Sequence, residues 1–190
     1  VYAHIPLILN PDGSKMSKRD QGASLSTYLE EGYTPEAVVN YLCLLGWSPK
    51  DNREILPVRE IIDRFDLSQI LRHNARFDMA KLQWMNAEYM RAMNPDRFYE
   101  LCVHALAKAG IDTNRFPLSY VKAALDTCHG KLKTFAELGG YAGFYFTDEI
   151  SWDTEAAAKG FTAEGRDRLR RLRNAFGALP EFTEIGRAHV

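Results

Sequence analysis

Five residues near the start of the chain, Lys15-Met16-Ser17-Lys18-Arg19, combine residue types and spacing with a clear chemical use. Two lysines three positions apart, with a small hydroxyl residue between them, can grip a polyphosphate from both sides. Each ammonium is a compact point charge on a flexible stem, suited to negative charge that moves between oxygens during a reaction. An arbitrary basic pentapeptide is more often a solvated loop. This particular order, Lys, Met or Leu, Ser, Lys, then Arg or Ser, arises by chance in roughly one chain of this length in a thousand at ordinary residue usage.

The elements around the motif are built to position it. His4-Ile5-Pro6-Leu7-Ile8-Leu9 reads as a short apolar strand, and Asn10-Pro11-Asp12-Gly13 as a tight turn. Asn and Asp close turns with their side chains, Pro presets φ, and Gly accepts positive φ. Gly13 and Gly22 flank the motif, which suits a segment that closes over a ligand. Residues 20–24 connect to a short helix from Leu25 to Glu31, stopped at Gly32. Thr34-Pro35-Glu36 supplies an N-cap and a first-position Pro. The helix that follows carries Val38, Val39, Tyr41, Leu42, Leu44 and Leu45, ends at Gly46, and is apolar around almost its whole circumference, predicting burial. Trp47 is placed against its end.

Helical spacing continues. Val58, Ile61, Ile62 and Phe65 occupy one helix face, a helical turn is expected over Ser68–Leu71, and Asp78 caps a helix containing Met79, Leu82 and Trp84. Asn86 is read as the cap of another helix with Tyr89, Met90 and Met93. No strand alternation occurs between residues 25 and 93. Asn94-Pro95 marks a boundary, because the residue before Pro avoids the helical region. A long helix then uses Phe98, Leu101, Cys102, Ala105, Leu106 and Ala109 and stops at Gly110. Val121, Leu125, Cys128, Leu132, Phe135 and Leu138 mark one or two further helices, and Gly139-Gly140 a break. Tyr141, Phe144, Tyr145 and Phe146 read as helical packing, although rings left exposed would offer stacking surfaces for bases. The final helix, Thr162 to about Ala178, places Leu169, Leu172, Phe176 and Leu179 inward. It also carries Arg166, Arg168, Arg170, Arg171 and Arg173. These arginines form either a solvated face with stems lying over the core or a phosphate-contacting strip.

Composition sets limits on function. The chain has 190 residues, 46 % hydrophobic and 26 % charged, enough for one large domain or two small ones. A net charge of −1 gives no global case for nucleic-acid binding, so RNA contacts must come from local patches. No apolar run approaches a membrane span, and no signal-like start is present. Cys43, Cys102 and Cys128 lie far apart in helical contexts and read as reduced, buried thiols of a cytosolic protein. The histidines form no metal-ligand pattern, so no metal site is expected. Val1 falls inside a strand pattern, which points to an internal fragment, and residues 185–190 read as a non-native tail.

Several motifs in order resemble bacterial glutamyl-tRNA synthetases, a class I aminoacyl-tRNA synthetase family with a KMSKS signature. They are the stretch from Ala3 through Arg19, Gly32 to Ala37, Asn40-Tyr41-Leu42, Leu45 to Pro49, and Phe77 to Asn86, continuing more weakly through Lys133 to Leu138 and Phe144 to Phe146. The resemblance implies a mainly α fold in three parts. Residues 1–24 would be the end of a Rossmann-type catalytic domain with the KMSKS loop, 25–93 a helical stem-contact domain, and 94–184 part of a helical anticodon-binding region. It implies a cytoplasmic, monomeric parent enzyme that activates L-glutamate with ATP and transfers it to the 3′ end of tRNA(Glu). Lys15 and Lys18 would be catalytic, and Lys15, Ser17, Lys18 and Arg19 would bind ATP, with Mg²⁺ carried by ATP. Arg166, Arg170, Arg171 and Arg173 would contact tRNA. The fragment alone would be inactive, because the HIGH half of the ATP site is absent. The family often has His-Gly after the motif, where this chain has Asp20-Gln21-Gly22.

Three rivals remain at this level. A glutaminyl-type enzyme would follow the catalytic core with β-barrels, and a glutamyl-queuosine relative would end soon after it. A helical tRNA-binding module would have no chemistry of its own.

Overall fold

The computed structural model describes residues 5–20, 22–147, 149 and 153–179. The proposed tail at 185–190 lies outside them. The described residues are mainly helical, and the chain divides into two compact units, Val1–Asp148 and Glu149–Val190.

The first unit opens with strand β1 (Ile8–Leu9), which pairs in parallel with β2 (Ala75–Arg76), Ile8 opposite Ala75 and Leu9 opposite Arg76. Between them lie helices α1 (Leu25–Glu30), α2 (Pro35–Leu44) and α3 (Val58–Arg64), then a turn of 3-10 helix at Leu67–Gln69. Helix α4 (Met79–Arg91) follows β2, and α5 (Pro95–Lys108), α6 (Leu118–Asp126) and α7 (Leu138–Ala142) complete the unit. Caps explain most of these starts. The Thr34 hydroxyl accepts from Ala37 N, the Asp78 carboxylate from Lys81 N at 3.0 Å, and the Asn94 side chain from Asp96 N at 3.0 Å.

Two apolar clusters share α4. Tyr28, Tyr33, Val38, Tyr41, Phe77, Leu82 and Met85 form one. Met90, five residues on, belongs to the other, with Phe98, Cys102, Leu106, Leu125, Leu132 and Leu138. Asn86 joins them, and it is an internal residue of α4 rather than the cap of a new helix. Its side-chain oxygen accepts from Thr34 N and Thr34 Oγ1, each at 2.8 Å, and its amide donates to Lys133 O at 2.6 Å. With its polar atoms engaged, a fully buried Asn is tolerated there.

Other expectations shift in detail. Helix α2 packs on α3 and α4 along one side only, leaving Val39 and Leu42 exposed. On α3 only Ile61 is buried, against Trp47 and Leu56, while Ile62 is exposed. Gly139 and Gly140 sit inside α7 and do not break it, and Ala109 lies close beside Gly139. Two-residue β2 has no alternation to read, since backbone pairing alone makes it: Ala75 N donates to Leu7 O and Phe77 N to Leu9 O.

In the second unit α8 (Thr154–Gly160) and α9 (Ala163–Gly177) are capped by Asp153 and Thr162. None of its described residues is buried, so Leu169, Leu172, Phe176 and Leu179 do not form a covered inner face. Among the described residues no helix is long and apolar enough to cross a membrane.

Candidate functional site

The basic motif begins as the second arm of a hairpin. Lys15 bridges Leu9 in antiparallel fashion, and Met16 N donates to Ile8 O at 3.0 Å. In the turn, Asn10 N donates to Ser14 O at 2.8 Å, and Gly13, at φ +89°, donates to Asn10 O at 2.9 Å. The Ser14 hydroxyl and then its N–H donate to the Asp12 carboxylate and lower its pKa.

Met16 explains why the motif alternates. Its side chain packs against the cluster around Tyr41 and Phe77, while Lys15, Ser17, Lys18 and Arg19 remain exposed. One apolar anchor thus fixes the loop and leaves the cations outside. No ion pair to Lys15, Lys18 or Arg19 occurs among the described residues. Bare ammonium groups on an anchored loop are ready for an anionic ligand.

The loop leaves through Gly22. Its φ of +87° and its position against Phe77 both require glycine, since an added Cβ would lie 2.6 Å from the ring. The Tyr28 hydroxyl donates to the Gly22 carbonyl, and burial pushes its pKa up to about 12, which keeps it a donor. Phe77 is therefore under both ends of the loop: its ring at Gly22, its N–H on Leu9 O at 2.8 Å.

Asp20 closes the motif. Its carboxylate accepts from Ser17 N at 2.7 Å and from the Asn10 amide at 2.9 Å. These donors, Asn10 first, hold the carboxyl below its usual range. Beside the loop lies a cavity of about 390 Å³, with Pro6, Ile8, Leu42 and Phe77 as apolar lining and Lys15 and Lys18 among its walls. A larger cavity of about 470 Å³ lies between α5 and the α1–α2 junction, and none of residues 15–19 lines it. Ser17 makes no hydrogen bond to a basic side chain among the described residues; its hydroxyl accepts from Arg19 N at 3.3 Å. The loop can therefore bind and stabilise moving negative charge, and nothing in it is arranged as an activated nucleophile.

Arg166, Arg170, Arg171 and Arg173 lie on α9 in the second unit and are exposed. Arg166, Arg170 and Arg173 follow i, i+4, i+7 spacing on one face. Arg170 pairs with Asp167 and Arg168 with Glu164, while Arg173 donates to Asn174 at 3.3 Å. The Asn10–Asp20 contact, the Met16 anchor and the Phe77–Tyr28 seat are the functional features that sequence reasoning missed. Only Asp20 carried a signal, as a departure from the resembled family.

Residues 1–84 match the family described as tRNA synthetases class I (E and Q), catalytic domain, and residues 97–187 match an anticodon binding domain. A glutamate–tRNA ligase of Methylacidiphilum infernorum is 44 % identical over 97 % of this chain and 40 % of its own length. One of Akkermansia muciniphila is 41 % identical over 96 % of this chain, again 40 % of its own length. The chain thus spans about two fifths of these relatives. A crystal structure of a glutamate tRNA ligase from Elizabethkingia meningosepticum in complex with its amino acid superposes with a TM-score of 0.77. It is 29 % identical and covers 94 % of this chain and 38 % of the Elizabethkingia chain.

Proposed function

We propose that this chain, which belongs to the class I tRNA synthetases of the glutamate and glutamine (E and Q) group, is the KMSKS-loop and anticodon-side portion of a glutamate–tRNA ligase. The parent enzyme joins L-glutamate to ATP as an adenylate, releases pyrophosphate, and passes the glutamyl group to the 3′ end of tRNA(Glu). It works in the cytoplasm as a monomer. The observation that carries the reading is the pair of ammonium groups, Lys15 and Lys18, without an ion pair among the described residues and held outside by the half-buried Met16 between them. Lys18 stabilises the triphosphate as pyrophosphate departs, Lys15 assists, and Ser17 and Arg19 shape the loop. Magnesium arrives on ATP, since the loop presents cations and its two carboxylates, Asp12 and Asp20, are engaged by protein donors. Residues 1–24, 25–93 and 94–184 serve as the end of the catalytic domain, the stem-contact domain and the anticodon-binding region.

Single-turnover kinetics test this in a protein carrying the chain behind the preceding segment of the Methylacidiphilum relative. Lys18→Ala slows glutamyl-adenylate formation by about 10²–10³, the scale of one lost transition-state donor, and spares acyl transfer from preformed adenylate. Lys18→Arg recovers little, because a planar fork does not replace a compact ammonium. The chain by itself gives no glutamate-dependent pyrophosphate exchange. Equal losses in both steps, or normal adenylate formation by Lys18→Ala, would remove Lys18 from this role.

A further inference from the structure

We infer that Asp20 is a positioning residue of the basic loop, joined to Asn10 as a clasp that sets the Ser17 peptide and so the approach of Lys15 and Lys18 to a polyphosphate. The inference rests on the phosphate reading proposed above and adds a residue to it.

A carboxylate is at first sight the wrong group here. A negative charge two residues from Lys18 repels the anion that the lysines attract, and on charge alone its removal should tighten anion binding. The geometry gives it another use. One oxygen, Oδ2, takes both Ser17 N–H at 2.7 Å and the Asn10 amide at 2.9 Å. The Asn10 amide also donates to Ser14 Oγ at 3.0 Å, so the contact runs from the turn that begins the hairpin to the residue that follows the motif. Asp20 N donates to Ser17 O at 3.1 Å and Ala23 N to Asp20 O at 3.1 Å, so its backbone is fixed too. Charge-assisted donors of this kind give the short, directional bonds seen here. The clasp crosses the base of the motif and ties it at Ser17, the central residue of the five and the one directly before Lys18. Without it, Met16 still anchors one side, but Ser17, Lys18 and Arg19 lose their only side-chain tether to the turn among the described residues. Ordering them would then fall on the ligand and weaken binding.

Titration of the purified chain with inorganic tripolyphosphate, followed by NMR, decides between clasp and repulsion because the two predict opposite signs. Asp20→Asn keeps the fold and removes one negative charge. The clasp predicts about fivefold weaker binding, the scale of reducing charge-assisted hydrogen bonds to neutral ones, where repulsion predicts tighter binding. Adding Asn10→Asp to Asp20→Asn restores a carboxylate–amide pair in reversed order. It brings affinity back to within about twofold although it returns a negative charge to the site. In Asp20→Ala the Ser17 amide, protected in the parent chain, exchanges faster. Equal or tighter binding by Asp20→Asn, failure of the double variant to recover, or unchanged Ser17 exchange overturns the clasp. Lys18→Ala in the same titration separates the two readings: wild-type affinity there removes the phosphate reading, and the clasp's role with it. Weaker binding there, with Asp20→Asn unaffected, removes the clasp alone.

Discussion

Gly22 shows how much of the candidate site depends on a single missing carbon. Ala at this position would adopt φ +87° and drive its Cβ to 2.6 Å from the Phe77 ring, with the Tyr28 hydroxyl 3.2 Å away on the other side. Neither ring can step aside, since Tyr28 and Phe77 are both buried in the same cluster. Gly22→Ala is therefore expected to cost about 1–3 kcal/mol, combining left-handed backbone strain with displacement of packed rings. Urea denaturation measures this directly, and an unchanged midpoint would show that the loop exit is not seated on Phe77. The same residue explains why Met16 succeeds as an anchor. Both abut one cluster, so the exposed Ser17, Lys18 and Arg19 between them inherit a fixed frame.

Among the elements, α9 poses the sharpest question. It has charged residues around much of its surface, i, i+3 and i, i+4 pairs at Asp167–Arg170 and Glu164–Arg168, and no buried residue. Pairs this exposed contribute little to stability, so the arginines are available to a polyanion. Replacing Arg170, Arg171 and Arg173 by Gln is expected to weaken tRNA binding and flatten its salt dependence by roughly one counterion per lost phosphate contact. A salt slope equal to that of the parent chain would return the strip to a solvated face. Helix starts such as Thr34, Asp78, Asn94 and Thr162 were legible in the sequence, because a cap acts on backbone groups two or three residues away. The basic motif and its turn were legible for the same local reason. Asn86 was not: its partners are Thr34 and Lys133, and nothing near it in the chain distinguishes a capping Asn from a buried cross-link. The Asn10–Asp20 contact is similar, since each residue looks like an ordinary turn former until the hairpin brings them together. Helix α8 escaped because its apolar side is only alanines, which give no periodic signal.

Across the first unit, buried ionisable groups tie stability to alkaline pH. Burial raises the Cys102 thiol from 9.0 to about 12, and the Tyr28 and Tyr41 hydroxyls from 10.0 to about 12. The unfolded chain releases these protons first, so the stabilisation is complete below pH 9 and declines as pH rises from 9 to about 12. Thermal unfolding should accordingly show a falling Tm over that window. In Cys102→Ala the decline between pH 9 and 10 is reduced to the contribution of the half-buried Cys43 thiol, which burial also raises, before the tyrosines take over near pH 10. A Tm independent of pH across this range would mean that these groups are not buried as described. Cys102 and the two tyrosines sit in different clusters, which α4 and Asn86 hold together, so one transition should report on both.

Phe77 meets both ends of the basic loop, and the consequence is thermodynamic. Roughly a dozen residues separate Leu9 from Gly22, and bringing the ends of such a segment together costs about 2 kcal/mol in chain entropy. Here the Phe77 N–H on Leu9 and its ring beneath Gly22 have already brought them together. That disorder is surrendered when the chain folds, before any polyphosphate arrives. What remains for a ligand to order is the few side chains at the crest, so their charge is expressed as affinity instead of being consumed in closing a ring.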